Sequence, residues 1–167
     1  MSWQEQAVRD WVREVLSAFD TQDHTVEVIF AGQAAPRPAK PYATVLLFGS
    51  GSKGDPDART TDTAVGAEYK HVITSHRQGT ASISIFGDED LDMMEALELS
   101  LNDREVIDAN DDRNIIVSHA LGINRSSRVP LETSFESRSQ RDFVVRWLNV
   151  RESTVPAIEH AELNSSN

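Results

Sequence analysis

Acidic residues and histidines are the side chains of this sequence whose types and spacing could bind a metal ion. Residues 108–112, DANDD, have carboxylates spaced as in the first five positions of a calcium-binding loop. The sixth position of such a loop needs glycine and the twelfth a glutamate, whereas this sequence has Arg113 and His119 there. We therefore predict that this segment ends a helix, and we expect no calcium site.

The five histidines do not have the spacing of a zinc site. The H-E-x-x-H motif is absent, and His71 and His76 lie five residues apart in a predicted strand, which places their side chains on opposite faces. A site assembled from distant positions remains the alternative. We expect no bound metal ion and no cofactor.

The sequence also lacks the motifs of nucleophilic catalysis and of phosphate binding. It has no cysteine and no G-x-S-x-G motif. GSGSKG, at residues 49–54, misses the spacing of a phosphate-binding loop because Lys53 precedes the last glycine. Carboxylate pairs such as Glu95 and Glu98 have the spacing of a solvated helix face and need no acid–base role. We therefore predict no catalytic residues and favour a structural or interaction protein.

Charge is distributed unevenly along the chain of 167 residues, whose formal net charge is −11. Residues 88–112 contain eleven acids and one base, a net charge of −10, whereas residues 125–151 contain six arginines and three acids. The acidic excess disfavours general binding to nucleic acid. An acidic end and a basic end suit head-to-tail assembly, and two ordinary solvated faces are the alternative. No apolar run approaches the ~20 residues of a membrane span, and the polar N-terminus is not typical of a signal peptide.

Two helices are predicted from apolar periodicity. The first covers residues 2–19, where Ser2 and Glu5 have the spacing of a capping box. Its predicted apolar face consists of Val8, Trp11, Val12, Val15, Leu16 and Phe19. The second covers residues 90–106. Its predicted buried stripe consists of Leu91, Met94, Leu97 and Leu101.

Strand signals and turn signals occupy most of the remaining chain. The predicted strands are residues 25–30, 42–48, 114–123 and 141–150, with a hairpin of 69–75 and 80–86 joined through a turn at 77–79. Residues 49–62, rich in Gly, Ser, Asp and Pro, are predicted to form one long loop. The order of elements predicts a single α+β domain over residues 1–160, followed by a polar tail at 161–167. Its sheet is expected to be mixed and mostly antiparallel, with two main helices packed against it.

The proline-rich stretch before the second strand resembles part of a known family. Residues 34–44, AAPRPAKPYAT, are similar to the N-x-P-R-P-x-x-P-Y-x-T signature of the phage neck and tail terminator proteins. GTASISIFG before the acidic helix agrees with this family, and FESRSQRDFVVRW is similar to its E-x-R-A-x-x-D-x-x-F strand. Glu136, Arg138 and Asp142 match that strand, whereas Ser139 and Val145 depart from it. The resemblance extends from about residue 3 to residue 160.

The resemblance implies a tail-terminator-like α+β subunit that assembles into a ring, expected to be hexameric. Such a ring caps the tail tube, joins it to the head connector or adaptor proteins, and has no catalytic activity. DNA passes through it without specific nucleic-acid binding, and no membrane is contacted. The protein is then a virion component of the tail or neck, assembled in the host bacterial cytoplasm. A head-completion or stopper protein at the same junction is the alternative, followed by a small ligand-binding module or a hydrolase.

The prolines themselves suggest an interface. A segment of closely spaced prolines is pre-set near the polyproline II conformation, so ordering it at an interface costs little entropy. We expect residues 36–41 to lie across the adjacent subunit, with Arg37 paired to a carboxylate there. A rigid connection within one subunit is the alternative. The residues expected at this subunit interface are Pro36, Arg37, Pro38, Pro41, Tyr42, Glu136 and Arg138.

Two further surfaces are expected to contact partners. The loop at 49–62 is expected to become ordered against the tail tube or the connector. Its expected contact residues are Gly49, Ser50, Lys53, Asp55 and Arg59. The acidic helix is expected to face the lumen of the ring or an axial partner, because a negative lumen repels DNA phosphates. Its expected residues are Glu95, Glu98 and Asp103.

Overall fold

The computed structural model describes residues 2–33, 36–52, 58–65, 68–130 and 135–156. These residues form three α-helices, which are α1 (Trp3–Leu16), α2 (Asp90–Ser100) and α3 (Arg104–Asp112). They also form six strands, which are β1 (Glu27–Phe30), β2 (Tyr42–Ser52), β3 (Ala58–Val65), β4 (Glu68–Phe86), β5 (Ile115–Pro130) and β6 (Phe135–Pro156). A single 3-10 turn, Ser17–Phe19, follows α1. Within these ranges, no helix is both long enough and apolar enough to cross a membrane.

All six strands belong to one sheet. Strands β1, β2, β4, β6 and β5 are neighbours in that order, and β3 also pairs with β4. β1 and β2 run parallel, whereas the other four pairings of the described strands are antiparallel. The predicted α+β class with a mixed, mostly antiparallel sheet is confirmed.

Helix α1 forms as its sequence predicts. The backbone N–H of Ser2 donates to Glu5 Oε2 at 2.7 Å, and the backbone N–H of Glu5 donates to Ser2 Oγ at 3.3 Å, so the capping box is complete. The hydrogen bond from Ser2 N–H is the main reason why the pKa of Glu5 is lowered. The predicted apolar face divides into buried Val8, Trp11, Val12 and Leu16 and partly buried Val15 and Phe19.

The hydrophobic core lies between the helices and one face of the sheet. Alternate residues of the central strands point into it, because successive side chains of a strand point to opposite faces. The ring of Trp11 meets that of Phe143 edge-on, with centroids 5.4 Å apart and an interplanar angle of 77°. The strand residues buried in this core include Ala43, Val45, Ala81, Ile83, Ile85, Ile115, Phe143, Val145 and Trp147.

The predicted second helix is in fact two helices. α2 ends at Ser100, and α3 begins at Arg104. The break is stabilised by Asp103, whose carboxylate accepts a hydrogen bond from the backbone N–H of Glu105 at 2.9 Å and so caps α3. α3 ends at Asp112, as predicted for the DANDD segment.

The predicted buried stripe of this region is wrong at Leu91, which is 51% exposed. Asp90 sets the rotation of α2, because it is 2% exposed and accepts a hydrogen bond from Ser139 Oγ at 2.8 Å. With Asp90 directed inward, the buried residues that follow at helical spacing are Met93, Met94, Leu97 and Ser100. Leu91 therefore lies on the outward side of the helix.

The predicted hairpin turn at 77–79 is also wrong, because β4 continues through it. β4 pairs with β6 without interruption from Glu68 opposite Pro156 to Phe86 opposite Arg138. Gly79 serves close packing instead of a turn. A Cβ at this position would lie 3.1 Å from Trp147 Cη2 and 3.3 Å from the backbone oxygen of Phe48.

The predicted loop at 49–62 is shorter than expected at both ends. β2 continues to Ser52, and β3 begins at Ala58. β3 pairs with β4 along its whole length, from Ala58 opposite Ser75 to Val65 opposite Glu68. Its strand character comes from three threonines, which are β-branched but polar, so the apolar alternation that identifies most strands is missing. Residues 53–57 and the predicted tail at 161–167 lie outside the described residues.

Candidate interaction surfaces

The proline segment, residues 36–41, is held against the start of β6 by a buried carboxylate. The side chain of Glu136 is only 1% exposed. Arg37 Nη1 donates to Glu136 Oε2 at 3.2 Å, and Lys40 Nζ lies 3.1 Å from Glu136 Oε1. Each carboxylate oxygen therefore has one cation, which is the compensation that a buried charge requires.

A second contact holds the end of the same segment. The rings of Tyr42 and Phe86 are stacked, with centroids 4.8 Å apart and an interplanar angle of 11°, and the Arg138 guanidinium lies 5.5 Å from the centroid of Phe86. Burial, and secondly the charge of Glu136, raise the pKa of the Tyr42 phenol, against an opposing effect of Arg37 and Arg138.

Pro41 is enclosed by its own chain as well. Its carbonyl oxygen lies 3.0 Å from His24 Nε2, within hydrogen-bonding distance. Gly87 has a φ of +133°, and a Cβ there would lie 3.0 Å from Pro41 Cβ. Glycine at this position therefore permits both the backbone conformation and the close approach.

The structure thus brings together the two motifs that resemble the terminator family, which lie about a hundred residues apart in sequence: residues Arg37 and Glu136 are separated by 99 positions. The carboxylate that Arg37 contacts belongs to its own chain, where a neighbour's carboxylate was expected. This contact agrees with the alternative interpretation, in which the proline segment is a rigid connection within one subunit. Arg37 nevertheless remains 61% exposed, and Pro36 is exposed beside it.

The face of the sheet opposite to the helices and the hydrophobic core, which we call the open face, carries no helix from the described residues. It consists of the strand residues that alternate with those of the core. Six of them are large apolar side chains that are 39–57% exposed: Leu46, Phe48, Ile116, Leu121, Leu148 and Val150. The charged strand residues of this face, outside the arm described next, are Glu27 on β1, Arg125 on β5, and Glu136, Arg138, Asp142 and Arg146 on β6.

The open face continues onto a three-stranded arm, formed by residues 58–65, 68–76 and 148–156. Beyond Trp147, the residue opposite Ile115, β6 has no pairing to β5, and the arm extends past the end of that strand. On the arm, Lys70 Nζ lies 2.8 Å from a carboxylate oxygen of Glu152. Arg59, one of the predicted partner contacts, lies in β3 opposite Thr74 and is exposed.

The other predicted contact residues of the 49–62 region are divided between strand and undescribed chain. Gly49 and Ser50 lie in β2, and Gly49 has a φ of +68° close to the bulge between Phe48 and Gly51. Lys53 and Asp55 lie outside the described residues.

The three predicted acidic contacts have different surroundings. The carboxylate of Glu98 pairs with the guanidinium of Arg141, and Asp103 caps α3. Glu95 is exposed between Leu91 and Leu99 on the outward side of α2. The prediction that carboxylates on this helix face water therefore holds for Glu95, whereas Glu98 is only partly exposed.

Two cavities flank Trp147, and no sequence pattern predicted them. One has a volume of about 440 Å³ and the other about 580 Å³, and Arg77 lines both. The indole Nε1 of Trp147 is buried without a hydrogen-bond partner among the described residues. His76, Asp111 and Arg146 line the larger cavity. The described residues include no group of three or more His, Cys, Asp or Glu side chains that could hold a metal ion.

Comparison with known proteins finds a family model that matches this chain. The family model described as phage neck terminator protein matches residues 3–167. The match therefore includes the proline segment, the whole sheet and all three helices. No curated protein matches the chain.

Proposed function

The chain belongs to the phage neck terminator family, and on this basis we propose that it forms a ring, expected to be hexameric, that caps the tail tube and joins it to the head connector. Family membership establishes a structural role in the phage neck. The observation that supports ring assembly is the open face, where six large apolar side chains remain 39–57% exposed. Exposed apolar patches of this kind mark protein–protein contacts.

Strand β2 supports the same proposal from its sequence. It is apolar without interruption from Val45 to Phe48, a pattern typical of strands covered on both faces. Val45 and Leu47 pack towards the core, whereas Leu46 and Phe48 lie on the open face and are about half exposed. A layer supplied by another protein would cover this second face and complete the usual layered arrangement.

The proline segment is proposed as a second contact between subunits. Its exposed residues Pro36 and Arg37, with the partly exposed Pro38, would meet the neighbour, because Arg37 keeps unused donors although one of its nitrogens binds Glu136. Its inward residues hold it in place, so little entropy is lost when the neighbour binds. Pro41 within the segment, and Tyr42, Glu136 and Arg138 next to it, are the residues that hold it.

The ends of β2 and β3 are proposed to contact the tail tube or the connector. Gly49, Ser50 and Arg59 lie on either side of residues 53–57, which include Lys53 and Asp55. The acidic surface, which was expected to face the lumen or an axial partner, is proposed to face a partner protein. Since Glu98 pairs with Arg141 and Asp103 caps α3, Glu95 is the member of this set whose charge is free for that role.

The partners that follow are other copies of this chain, the tail tube protein and the head connector or adaptor proteins. DNA passes through the ring without specific binding, no membrane is involved, and no catalysis is proposed. The site of action is the virion, after assembly in the host bacterial cytoplasm.

Light scattering after size exclusion, over a series of protein concentrations, tests the ring directly. We expect a discrete species near six subunits, with a central hole in electron micrographs. A chain that stays monomeric is then incubated with purified tail tubes. Failure to cap tubes and failure to assemble at any concentration would together reject the proposal. Binding to connectors and not to tubes would favour a head-completion or stopper protein.

A matched pair of variants tests the open face. Phe48 on the open face and Trp3 at the start of α1 are both 46% exposed. Phe48→Ser is expected to weaken assembly, whereas Trp3→Ser removes the same kind of exposed surface from the helical side and should leave assembly unchanged. Equal weakening by the two variants would show that the open face has no special role.

A further inference from the structure

We infer that the outward side of α2 in one copy of this chain docks on the open face of the next copy, in a head-to-tail contact. The contact involves the α2 stripe, which consists of Leu91, Asp92, Glu95 and Leu99. This inference rests on the proposed ring and specifies which two surfaces join its subunits.

The exposed apolar side chains point to these two surfaces. Of the eleven large apolar residues exposed in the described chain, six lie on the open face. Leu91 and Leu99 lie on α2, and Leu99, at 66%, is the most exposed of all eleven. These two leucines are eight positions apart with Glu95 midway, so the three share one side of the helix.

The two surfaces lie on opposite sides of the molecule. The inward side of α2, with Met93, Met94 and Leu97, packs into the core on the covered face of the sheet. Its stripe therefore points away from the sheet, whereas the open face points in the other direction. Two different patches on opposite sides of one subunit form a heterologous contact, which closes into a ring when the rotation between subunits permits.

The charges of the two surfaces indicate that they pair with each other. Residues 88–112 have eleven acids and one base, and none of the ion pairs among the described residues includes Asp92 or Glu95. On β5 and β6, the open face outside the arm has three arginines, against Asp142 and against Glu136, which Arg37 and Lys40 already neutralise. The remaining charged strand residue of this face, Glu27, lies on β1 at the opposite edge of the sheet. Arg125 is exposed on β5, and Arg146 donates to the neutral amide oxygen of Gln78 at 3.2 Å, so neither is neutralised by a carboxylate within the described chain. The acidic stripe is therefore complementary to the basic part of the open face on β5 and β6.

The same observations decide against an aqueous lumen as the environment of α2. A channel wall exposed to water and DNA gains from Glu95 but gains nothing from Leu91 and Leu99, which would stay hydrated there. Docking on the open face removes both leucines from water and places Glu95 near arginines.

Charge reversal tests this contact with two double variants. Asp92→Lys/Glu95→Lys changes the stripe, and Arg125→Glu/Arg146→Glu changes the open face. Each variant alone is expected to weaken assembly by roughly tenfold or more in dissociation constant, because like charges then face each other. An equimolar mixture should assemble again with the two variants alternating, since every contact in such a ring joins opposite charges. Circular dichroism confirms that each variant is folded.

A control variant and an engineered cross-link separate failure of this contact from failure of the ring. Asp111→Lys/Asp112→Lys makes the same charge change at the exposed end of α3 and should leave assembly unchanged. Because the chain has no cysteine, Leu99→Cys/Leu148→Cys should give a ladder of linked chains on oxidation, whereas either single cysteine should give none beyond a dimer.

The results of these experiments test the contact and the ring separately. Weakening by both charge variants with rescue in the mixture, or a cross-linked ladder from chains that are otherwise monomeric, supports the contact. A wild-type ring that survives the stripe variant, or that is lost equally in the α3 control, overturns the contact and leaves the ring standing. A wild-type chain that neither assembles at any concentration nor caps purified tail tubes overturns the proposed ring, and a double-cysteine variant that then gives no ladder overturns the contact as well.

Discussion

The two faces of the sheet differ in composition although they come from the same strands. In β4, Ala81, Ile83 and Ile85 are fully buried beneath the helices, whereas the alternate residues Ser82 and Ser84 point to the open face, where Gln140 and Arg138 cover them and donate hydrogen bonds to them. The covered face has the side chains that stabilise one chain. The open face combines small polar residues with half-exposed apolar ones, a composition closer to an interface than to a core. One strand can therefore contribute to folding on one side and to assembly on the other.

The largest expected difference between the two faces is in the free energy of unfolding. Phe143→Ala on the covered face should cost about 3–5 kcal/mol, because it removes a fully buried ring that packs against Trp11. Phe48→Ala on the open face should cost about 1 kcal/mol or less and should act on assembly instead. Urea unfolding of the monomeric chain measures both. Similar losses at the two positions would remove the distinction between the faces.

The buried carboxylate below the proline segment is expected to have the next largest effect. Arg37→Ala/Lys40→Ala leaves Glu136 buried without a cation and should cost about 3 kcal/mol in unfolding free energy. Arg37→Ala alone should cost about 1 kcal/mol or less, because Lys40 remains and the arginine is mostly exposed. Adding Glu136→Gln to the double variant should recover part of the loss. If the double variant is as stable as the wild type, the anchor has no energetic role.

Gly79 and Gly51 provide a sharper comparison within the sheet. Gly79→Ala should cost about 1–3 kcal/mol, because its new Cβ would lie 3.1 Å from Trp147 and 3.3 Å from the Phe48 backbone. Gly51→Ala meets no atom within 4 Å and should have little effect. Thermal unfolding of the two variants tests the assignment of Gly79 to close packing. A destabilised Gly51 variant beside a stable Gly79 variant would contradict it.

The smallest effect is expected from ionisation of Tyr42. Its pKa is raised in the folded chain, so the unfolded chain loses this proton first as the pH rises. The contribution of the neutral phenol to stability is therefore complete below the ordinary tyrosine pKa of about 10 and is lost as the pH rises through the folded value. Tyrosinate absorbance should show a late-titrating group that is missing in Tyr42→Phe. If the group that Tyr42→Phe removes titrates at the ordinary tyrosine pKa of about 10, the expected effect of burial is contradicted.

Local sequence patterns predicted some features correctly and others incorrectly. The apolar spacing and capping box of α1 are local features, and both are confirmed. The turn predicted at 77–79 was wrong because glycine occurs both in turns and where another residue packs closely against the backbone. The residue that packs against Gly79 is Trp147, which lies far along the chain and could not be identified from the local sequence. The rotation of α2 was wrong at Leu91 because a carboxylate, Asp90, takes an inward position through its bond to Ser139. Apolar periodicity alone does not predict that an aspartate is buried in the core.

Sequence patterns were sufficient to predict the class of fold, the first helix, the central strands, the uneven charge and the resemblance that the family match confirms. These follow from spacing and composition over short stretches, where side-chain alternation and backbone propensity act locally. The three-dimensional arrangement was needed to show that Arg37 and Lys40 share the buried Glu136, that Gly79 lies against Trp147, and that six of the exposed apolar residues share one open face. Each depends on strands that pair across long separations in sequence. Pairing register fixes which side chains meet, and register is a property of the assembled sheet.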